Sequence, residues 1–451
     1  MNARVPSLLR SLPRSVWGAL GAGALLVLVQ QQILERRPPR LLSLEPQAYS
    51  SGPGALDLRF SRPMQRQSLA QQSRLDPPVA HRWLGSDALQ RLLLLPDQVV
   101  RTPLALRLRG LDRRGLPLQE QRWGWDPRPY LLVVAEVSGG VQLQLRTHDD
   151  QWLPLSPVLA RIPSVEPLAN GRGVVFLSAE RLSQGWHRLW KRTLRPRSLV
   201  KGGERLGPPL PGPLQSLSPD RLSFAHISGN RHGDVLLQLS GLLPGSARTL
   251  WIDARGRQRQ LKLEVSGPIR LLPEGDGMVV PSPDGLELRG LREEGSTPQM
   301  LPGSRMLMAF CPASGEALLM RHWPDYRRSL ERVQPGAAPV TTWLGEEAVM
   351  AASCNPSGDR VWMLLNRWRG QSQNEVVRLD RRGRIVVRRD LAPWQPEPGT
   401  ALSYDPVGDQ LLLTVRRDPR EPGRPALLDG RTLRLRVLSK PITQAYWLPA
   451  S

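Results

Sequence analysis

Three kinds of hydrophobic pattern follow one another along the chain. Residues 15–34 form one uncharged stretch, Ser15 to Leu34, densest in apolar side chains between Val16 and Val29. Residues 41–125 then alternate, as in Ala55-Leu56-Asp57-Leu58-Arg59-Phe60 and Leu104-Ala105-Leu106-Arg107-Leu108-Arg109, with Gly, Pro or Asp at the ends of each segment. A period of two puts successive side chains on opposite faces, so these segments predict half-buried strands of a sandwich. From 130 onward, apolar runs of about five to eight residues, the usual length of a strand, recur behind turns that hold proline with glycine or aspartate.

The first stretch reaches the roughly 20 residues that a bilayer requires, which predicts a single membrane-spanning helix over 15–34. The text after it, "QQQILERRPPR", offers no small-x-small cleavage site near the apolar core; the nearest, Ala48-Tyr49-Ser50, lies far downstream. An uncleaved anchor within a tail of 1–40 is therefore expected, not a removed signal. Arg4, Arg10 and Arg14 precede the span, and Arg36, Arg37 and Arg40 follow it. The positive-inside rule then tips only slightly toward a cytoplasmic N-terminus with the bulk of the chain outside. The expected location is a bacterial inner (cytoplasmic) membrane, single-pass, with a periplasmic body; a thylakoid membrane fits the same pattern.

The third pattern is a repeat. "SCNPSGDRVWML" (Ser353–Leu364) lies over "FCPASGEALLM" (Phe310–Met320) at Cys311/Cys354 and pairs Ser314 with Ser357, Gly315 with Gly358, Glu316 with Asp359 and Met320 with Met363. Further copies occupy Ser216–Ser228, Leu271–Val280, Ser403–Val415 and, more weakly, Ser164–Leu177. Marked by Pro167, Pro219, Pro273, Pro312, Pro356 and Pro406, the period is roughly 40–50 residues with room for four short strands, the signature of a β-propeller. Pro441–Ser451 reads as a first strand with nothing after it, and Tyr130–Pro157 as strands that lack that first one. Shared between the chain ends they make one blade, so the ring has about seven blades, with six as the alternative. The predicted fold class is all-β: a tail and transmembrane helix (1–40), an Ig-like β-sandwich (41–125) and a β-propeller (130–451).

Two segments resemble known families. Phe60-Ser61-Arg62-Pro63-Met64 and Asp112-Arg113-Arg114-Gly115 resemble the Phe-Ser-x-Pro-Met strand end and the Asp-x-x-Gly turn of bacterial Ig-like domains of the SbsA type. That resemblance implies a spacer or adhesion module without chemistry of its own. The turns of the array resemble those of TolB-type propellers, whose repeat centres on Ser-Pro-Asp-Gly; Ser282-Pro283-Asp284-Gly285 spells it, one strand out of phase with the other copies. The Gly-His and Trp-Asp marks of WD repeats and the regular Gly-Gly of kelch repeats are missing.

Composition changes this picture in a few places. Lys+Arg 62 against Asp+Glu 40 gives a net charge of +22. The arginines are scattered through every segment, however, and a phosphate footprint would cluster on one face, so no nucleic-acid partner is expected. The two cysteines exclude a zinc ribbon or iron–sulfur cluster by count. One disulfide is the alternative, but at equivalent places in neighbouring repeats they are expected to lie beyond the bridging limit of about 7 Å and to remain two buried thiols.

Nucleophile elbow, phosphate loop, His-Glu-x-x-His and EF-hand motifs are absent. The histidines, His81, His148, His187, His226, His232 and His322, have no metal-pair spacing and read as surface or loop residues. His148-Asp149-Asp150 reads as a turn, so no cofactor or metal is expected. Glu316, Asp359 and Asp409 recur at one turn position, where an acid closes a tight turn. Trp323 and Trp368, flanked by Arg321 and Arg367, have the composition of interface anchors, although packing under a loop is the role expected ahead of that one. The functional expectation is a membrane-anchored, non-catalytic binding or scaffold protein whose Ig-like spacer presents the propeller to another envelope protein. The alternative is a propeller hydrolase or lyase acting on glycans, with carboxylates in the central cleft.

Overall fold

The computed structural model describes residues 14–450 apart from 49–52, 97, 180, 182–184, 196–207, 219, 264, 292–297 and 369. The cationic flank residues Arg4 and Arg10 and the repeat marker Pro219 lie outside the described residues. Seven antiparallel sheets follow the N-terminal segments and close into a β-propeller.

Blade 1 orders Ile442–Leu448, Tyr130–Val137, Gly140–Arg146 and Trp152–Pro154 from the inside outward. Its innermost strand thus comes from the far end of the chain, with Leu448 opposite Tyr130 and Ile442 opposite Ala135. Blades 2 to 6 are each built from consecutive strands, the first innermost. Those first strands are Arg161–Pro167, Leu222–Gly229, Arg270–Leu271, Arg305–Cys311 and Ala348–Cys354. Blade 7 begins with Ser403–Asp405 and Gln395–Pro396, both paired to Gln410–Arg416.

The second strand of a blade is covered on both faces by neighbouring blades, which is why it reads as a continuous apolar run and not as an alternation. Gly173–Ala179 is buried at every position, and Val361–Leu365 likewise. Buried apolar clusters bridge blades 1 and 2, 2 and 3, 3 and 4, 5 and 6, 6 and 7, and 7 and 1. The recurring glycine or aspartate has a backbone cause. The turn between first and second strands carries a residue of positive φ, filled by Gly171, Gly233, Gly315, Gly358 or Asp409, and only Gly, Asn and Asp enter that region readily. Pro219 marks the wrong phase, since the equivalent turn of blade 3 is Asn230–Asp234 and has no proline. Ser282-Pro283-Asp284-Gly285 indeed sits one strand later, at the turn between second and third strands of blade 4.

The segment before the ring forms two sheets, one ordered Leu41–Gln47, Ala55–Phe60, Leu89–Leu94, His81–Ser86, the other Arg74–Asp76, Leu104–Leu108, Gln121–Trp125. Together they enclose one core that includes Phe60, Met64, Leu69, Trp123 and Trp125. The two motif pieces singled out in this segment meet: Met64 bridges Asp112, and the Arg113 N–H donates to Pro63 O at 3.0 Å. The buried Asp112 carboxylate accepts the N–H groups of Arg114 and Leu116, which fixes the turn.

This module rests on the face of the ring that carries the turns between first and second strands, called here the near face. Val100 N–H donates to Val407 O at 2.8 Å, Val407 joins the module's core, Arg172 faces Glu45 at 3.5 Å, and Arg231 reaches Ala48 O at 3.4 Å.

One expectation changes, and a second, the membrane span, finds no support in the helix. Cys311 and Cys354 are joined in a disulfide with Cα atoms 5.7 Å apart, so they are not free thiols. Each ends the innermost strand of its blade, and innermost strands converge on the axis, which brings equivalent positions within bridging range. The N-terminal segment forms a helix over Arg14–Arg36, yet among the described residues no helix is long and apolar enough to cross a membrane. Gly18, Gly21, Gly23 and the run Gln30-Gln31-Gln32 dilute its apolar character. Trp17, Leu20 and Leu25 to Val29 are exposed on it.

Candidate functional site

The face opposite the module, the far face, is built from turns between second and third strands and from links between blades. Blades 5 and 6 bring the four candidate interface residues together there. Trp323 follows Glu316–His322, the second strand of blade 5; Trp368 ends Val361–Trp368, the second strand of blade 6.

The blade 5 turn is organised around a buried acid. Glu331 lies between Arg305, whose Nε is 2.8 Å from Oε2, and Arg321, 3.8 Å from Oε1. Ser329 Oγ receives the Trp323 indole N–H at 2.9 Å, and the Arg321 guanidinium sits 3.8 Å from the Trp323 ring centroid. Trp323 is therefore half-buried beneath its own loop, with Arg321 committed to holding it. The same turn pushes Tyr326 outward, 90% exposed, with a φ of 65°. A tyrosine in the left-handed region is rare, and such strain at an exposed aromatic marks a place where surface geometry is held fixed.

In blade 6, Arg367 donates to Glu347, in the link between blades 5 and 6. Partial burial opposes ionisation of Glu347, but the Arg367 hydrogen bond and charge win and hold its carboxyl below the usual range. Arg367 is thus spent internally, while Trp368 stands 72% exposed beside it. Met306 and Met350, near the starts of the innermost strands of blades 5 and 6, are exposed at this same end, as is Leu344. The result is a two-blade patch of Tyr326, Trp368, two methionines and a leucine over a base of satisfied ion pairs. Of the predicted residues, Trp368 is presented outright, whereas Trp323, Arg321 and Arg367 support the surface. Tyr326 was missed, although its place in the turn "WPDYR" was a usable signal; the methionines carry none.

The acids on the near face are occupied. Glu316 accepts from Ser314 Oγ at 3.1 Å and faces Arg332 at 4.0 Å. Asp359 accepts from Ser357 Oγ at 2.9 Å and from Arg381 at 3.1 Å. Asp409 takes Arg360 at 2.7 Å, Arg431 at 3.0 Å and the Tyr404 hydroxyl at 2.9 Å. Each carboxylate holds a turn and a neighbouring strand, and general acid or base work requires a group free to exchange a proton with substrate.

A polar cavity of about 470 Å³ lies between the module and blades 1 and 7. His148 lines it, stacked on Tyr130 at 4.4 Å with Nδ1 3.3 Å from Asp126. It is thus a loop residue, as expected, but one packed into the turn after Gly140–Arg146. Burial lowers its pKa, with Asp126 pulling the other way. His226 departs from expectation: it lies half-buried on a strand, and burial, then Arg270, press it down to about 4. Asp405 is pushed up to about 7 by burial, against the N–H groups of Val407 and Gly408 that donate to it. Among the described residues no three His, Cys, Asp or Glu side chains come together as a metal-binding group.

No family model matches the chain, and no curated protein matches it. Solved structures similar to it include TolB from Acinetobacter baumannii (11% identity, 78% of this chain and 81% of that one, TM-score 0.40). Others are an oligogalacturonate lyase in complex with manganese (12%, 78% and 95%, TM-score 0.46) and the β-propeller domain of the Trilobed protease from Pyrococcus furiosus (10%, 76% and 97%, TM-score 0.42). The likeness is one of general architecture.

Proposed function

We propose that this chain is a non-catalytic, membrane-anchored binding protein of the cell envelope. Its N-terminal helix is the anchor, its module is an Ig-like spacer seated on the near face, and the far face of blades 5 and 6 docks another envelope protein. The carrying observation is the patch of exposed Tyr326, Trp368, Met306 and Met350 on the face the module leaves open. Aromatic side chains are enriched at interfaces because they remove much apolar area from water for little lost freedom, and methionine because its flexible thioether adapts to the partner's surface. The Cys311–Cys354 disulfide supports a compartment outside the cytoplasm, where such bonds persist. The exposed Trp17, Leu20 and Leu25 to Val29 of Arg14–Arg36 support burial in lipid. The glycan-enzyme alternative is less favoured, because Glu316, Asp359 and Asp409 are all held in ion pairs.

A photoreactive residue in place of Trp368 should capture one discrete envelope protein in intact cells, and the same residue at Val386, on the outer strand of blade 6, should not. Combining Trp368→Ala with Tyr326→Ala should weaken that complex by about 2 kcal/mol, roughly thirtyfold. Equal capture from both positions, or none from Trp368, would count against the docking face. For the anchor, a reporter active only outside the cytoplasm and fused after Ser451 should be active, and the protein should stay in the membrane fraction after alkaline washing. An inactive reporter, or release by the wash, would overturn the anchor reading.

A further inference from the structure

The seam between blades 4 and 5 differs from every other seam of the ring. The others are filled by buried apolar clusters, and among the described residues none bridges blades 4 and 5. In its place is a cavity of about 300 Å³ walled by apolar side chains, among them Leu286, Leu288, Leu301, Phe310, Leu319 and Val333. The sheets flanking it are complete, so the gap is not a missing strand: blade 4 runs Arg270–Leu271 to Gln299–Pro302, and blade 5 Arg305–Cys311 to Val340–Gly345.

The cavity is reached from within. Pro273, Phe310 and Pro312 line both it and a second cavity, of about 310 Å³, on the axis of the near face. That axial vestibule is walled by turn prolines of the blades, including Pro356 and Pro406, and roofed by Ala48, Pro53 and Pro127 of the module segment. A cavity of this volume has no room for a folded partner, whereas a thin, flexible chain fits it. The rim acids are already answered: Glu274 by Arg231 at 3.2 Å, Glu287 by Arg289 at 2.5 Å, and Glu316 by Arg332 at 4.0 Å. Apolar walls of this kind gain from an apolar guest that removes their area from water.

We infer that the blade 4/5 seam is a binding site for a single alkyl chain of an amphiphile, with the chain in the seam and the polar head in the axial vestibule. The walls supply dispersion contacts and removal of apolar area from water, and the small volume selects for a narrow ligand. The bound chain completes the seam that, among the described residues, side chains leave open.

The test uses the full chain in lipid nanodiscs and a decanol carrying a photoreactive diazirine at the chain end, with adducts located by mass spectrometry. Adducts are expected on the seam strands, around Leu286, Leu301 and Leu319, saturating with probe and displaced by excess decanol. Two variants fill the seam from opposite walls, Ala317→Phe from blade 5 and Leu301→Trp from blade 4; each is expected to lose those adducts and to unfold at a higher temperature. Should one variant misfold, the other decides. Adducts confined to Arg14–Arg36, seam adducts that decanol does not displace, or labelling unchanged in a folded variant would overturn the assignment. The docking face on blades 5 and 6 is untouched by these changes, so the two readings stand or fall separately.

Discussion

A chain that ends at Lys440 is expected to lose most of the stability of the ring. The missing strand, Ile442–Leu448, is the innermost of blade 1 and pairs along its length with Tyr130–Ala135. Ile442 and Leu448 are fully buried, and each helps seal a different seam, Ile442 that with blade 7 and Leu448 that with blade 2. Trp447 also donates to Ser403 O of blade 7, and Gln444 to Pro163 O of blade 2. Burial of two such side chains accounts for about 3–6 kcal/mol. Lost ladder hydrogen bonds and the newly bared Leu132 and Val134 add to this, against a net stability of about 5–15 kcal/mol. Removal also exposes an apolar sheet edge, a template for aggregation. Deleting 41–125 takes away far more residues but leaves the ring shut, because the module's core borrows only Val407 from it. The thermal midpoint of the Lys440 truncation should therefore fall well below that of the module deletion. Equal midpoints would show that closure by the shared blade contributes little.

Closure was legible because a strand without successors and strands without a first member are both visible in a linear text. The repeat was legible because second strands, covered on both faces, must be apolar throughout, and because the turn before them demands a positive φ. Proline is only an accompaniment to that turn, which is why Pro219 misled: blade 3 meets the demand with Gly233 alone. What the linear text did not carry is distance between blades. Leu286, Leu301 and Leu319 look like any other seam residues, and only the placement of two whole sheets leaves them facing a void. Likewise Trp368 could be picked out by its flanking arginines, while Met306 and Met350 join it only because the innermost strands begin at the same end of the ring. The recurring acids were read correctly as turn residues, though nothing in their spacing revealed Arg332, Arg381 and Arg360 as partners.

Replacing Cys311 and Cys354 together by alanine is expected to cost about 2–4 kcal/mol, the usual worth of a native disulfide. The cross-link spans 43 residues, so the unfolded chain loses considerable freedom when it is present. In the folded ring both sulfurs lie inside the cluster joining blades 5 and 6, next to the seam that lacks one. Opening the bond therefore loosens the ring where it is least sealed, and the double variant should show its largest gain in backbone hydrogen exchange in Arg305–Cys311 and Ala348–Cys354. The redox state itself is checked without mutation. Protein denatured with no reductant should take up no thiol reagent, and after reduction it should take up two equivalents, one at each cysteine. The chain retained in a reducing cytoplasm, by removal of residues 1–40, should carry both thiols free and unfold at a lower temperature than the same polypeptide oxidised in vitro. Uptake of reagent at Cys311 and Cys354 before reduction would restore the two-thiol reading. It would also remove the main chemical support for placing the ring outside the cytoplasm.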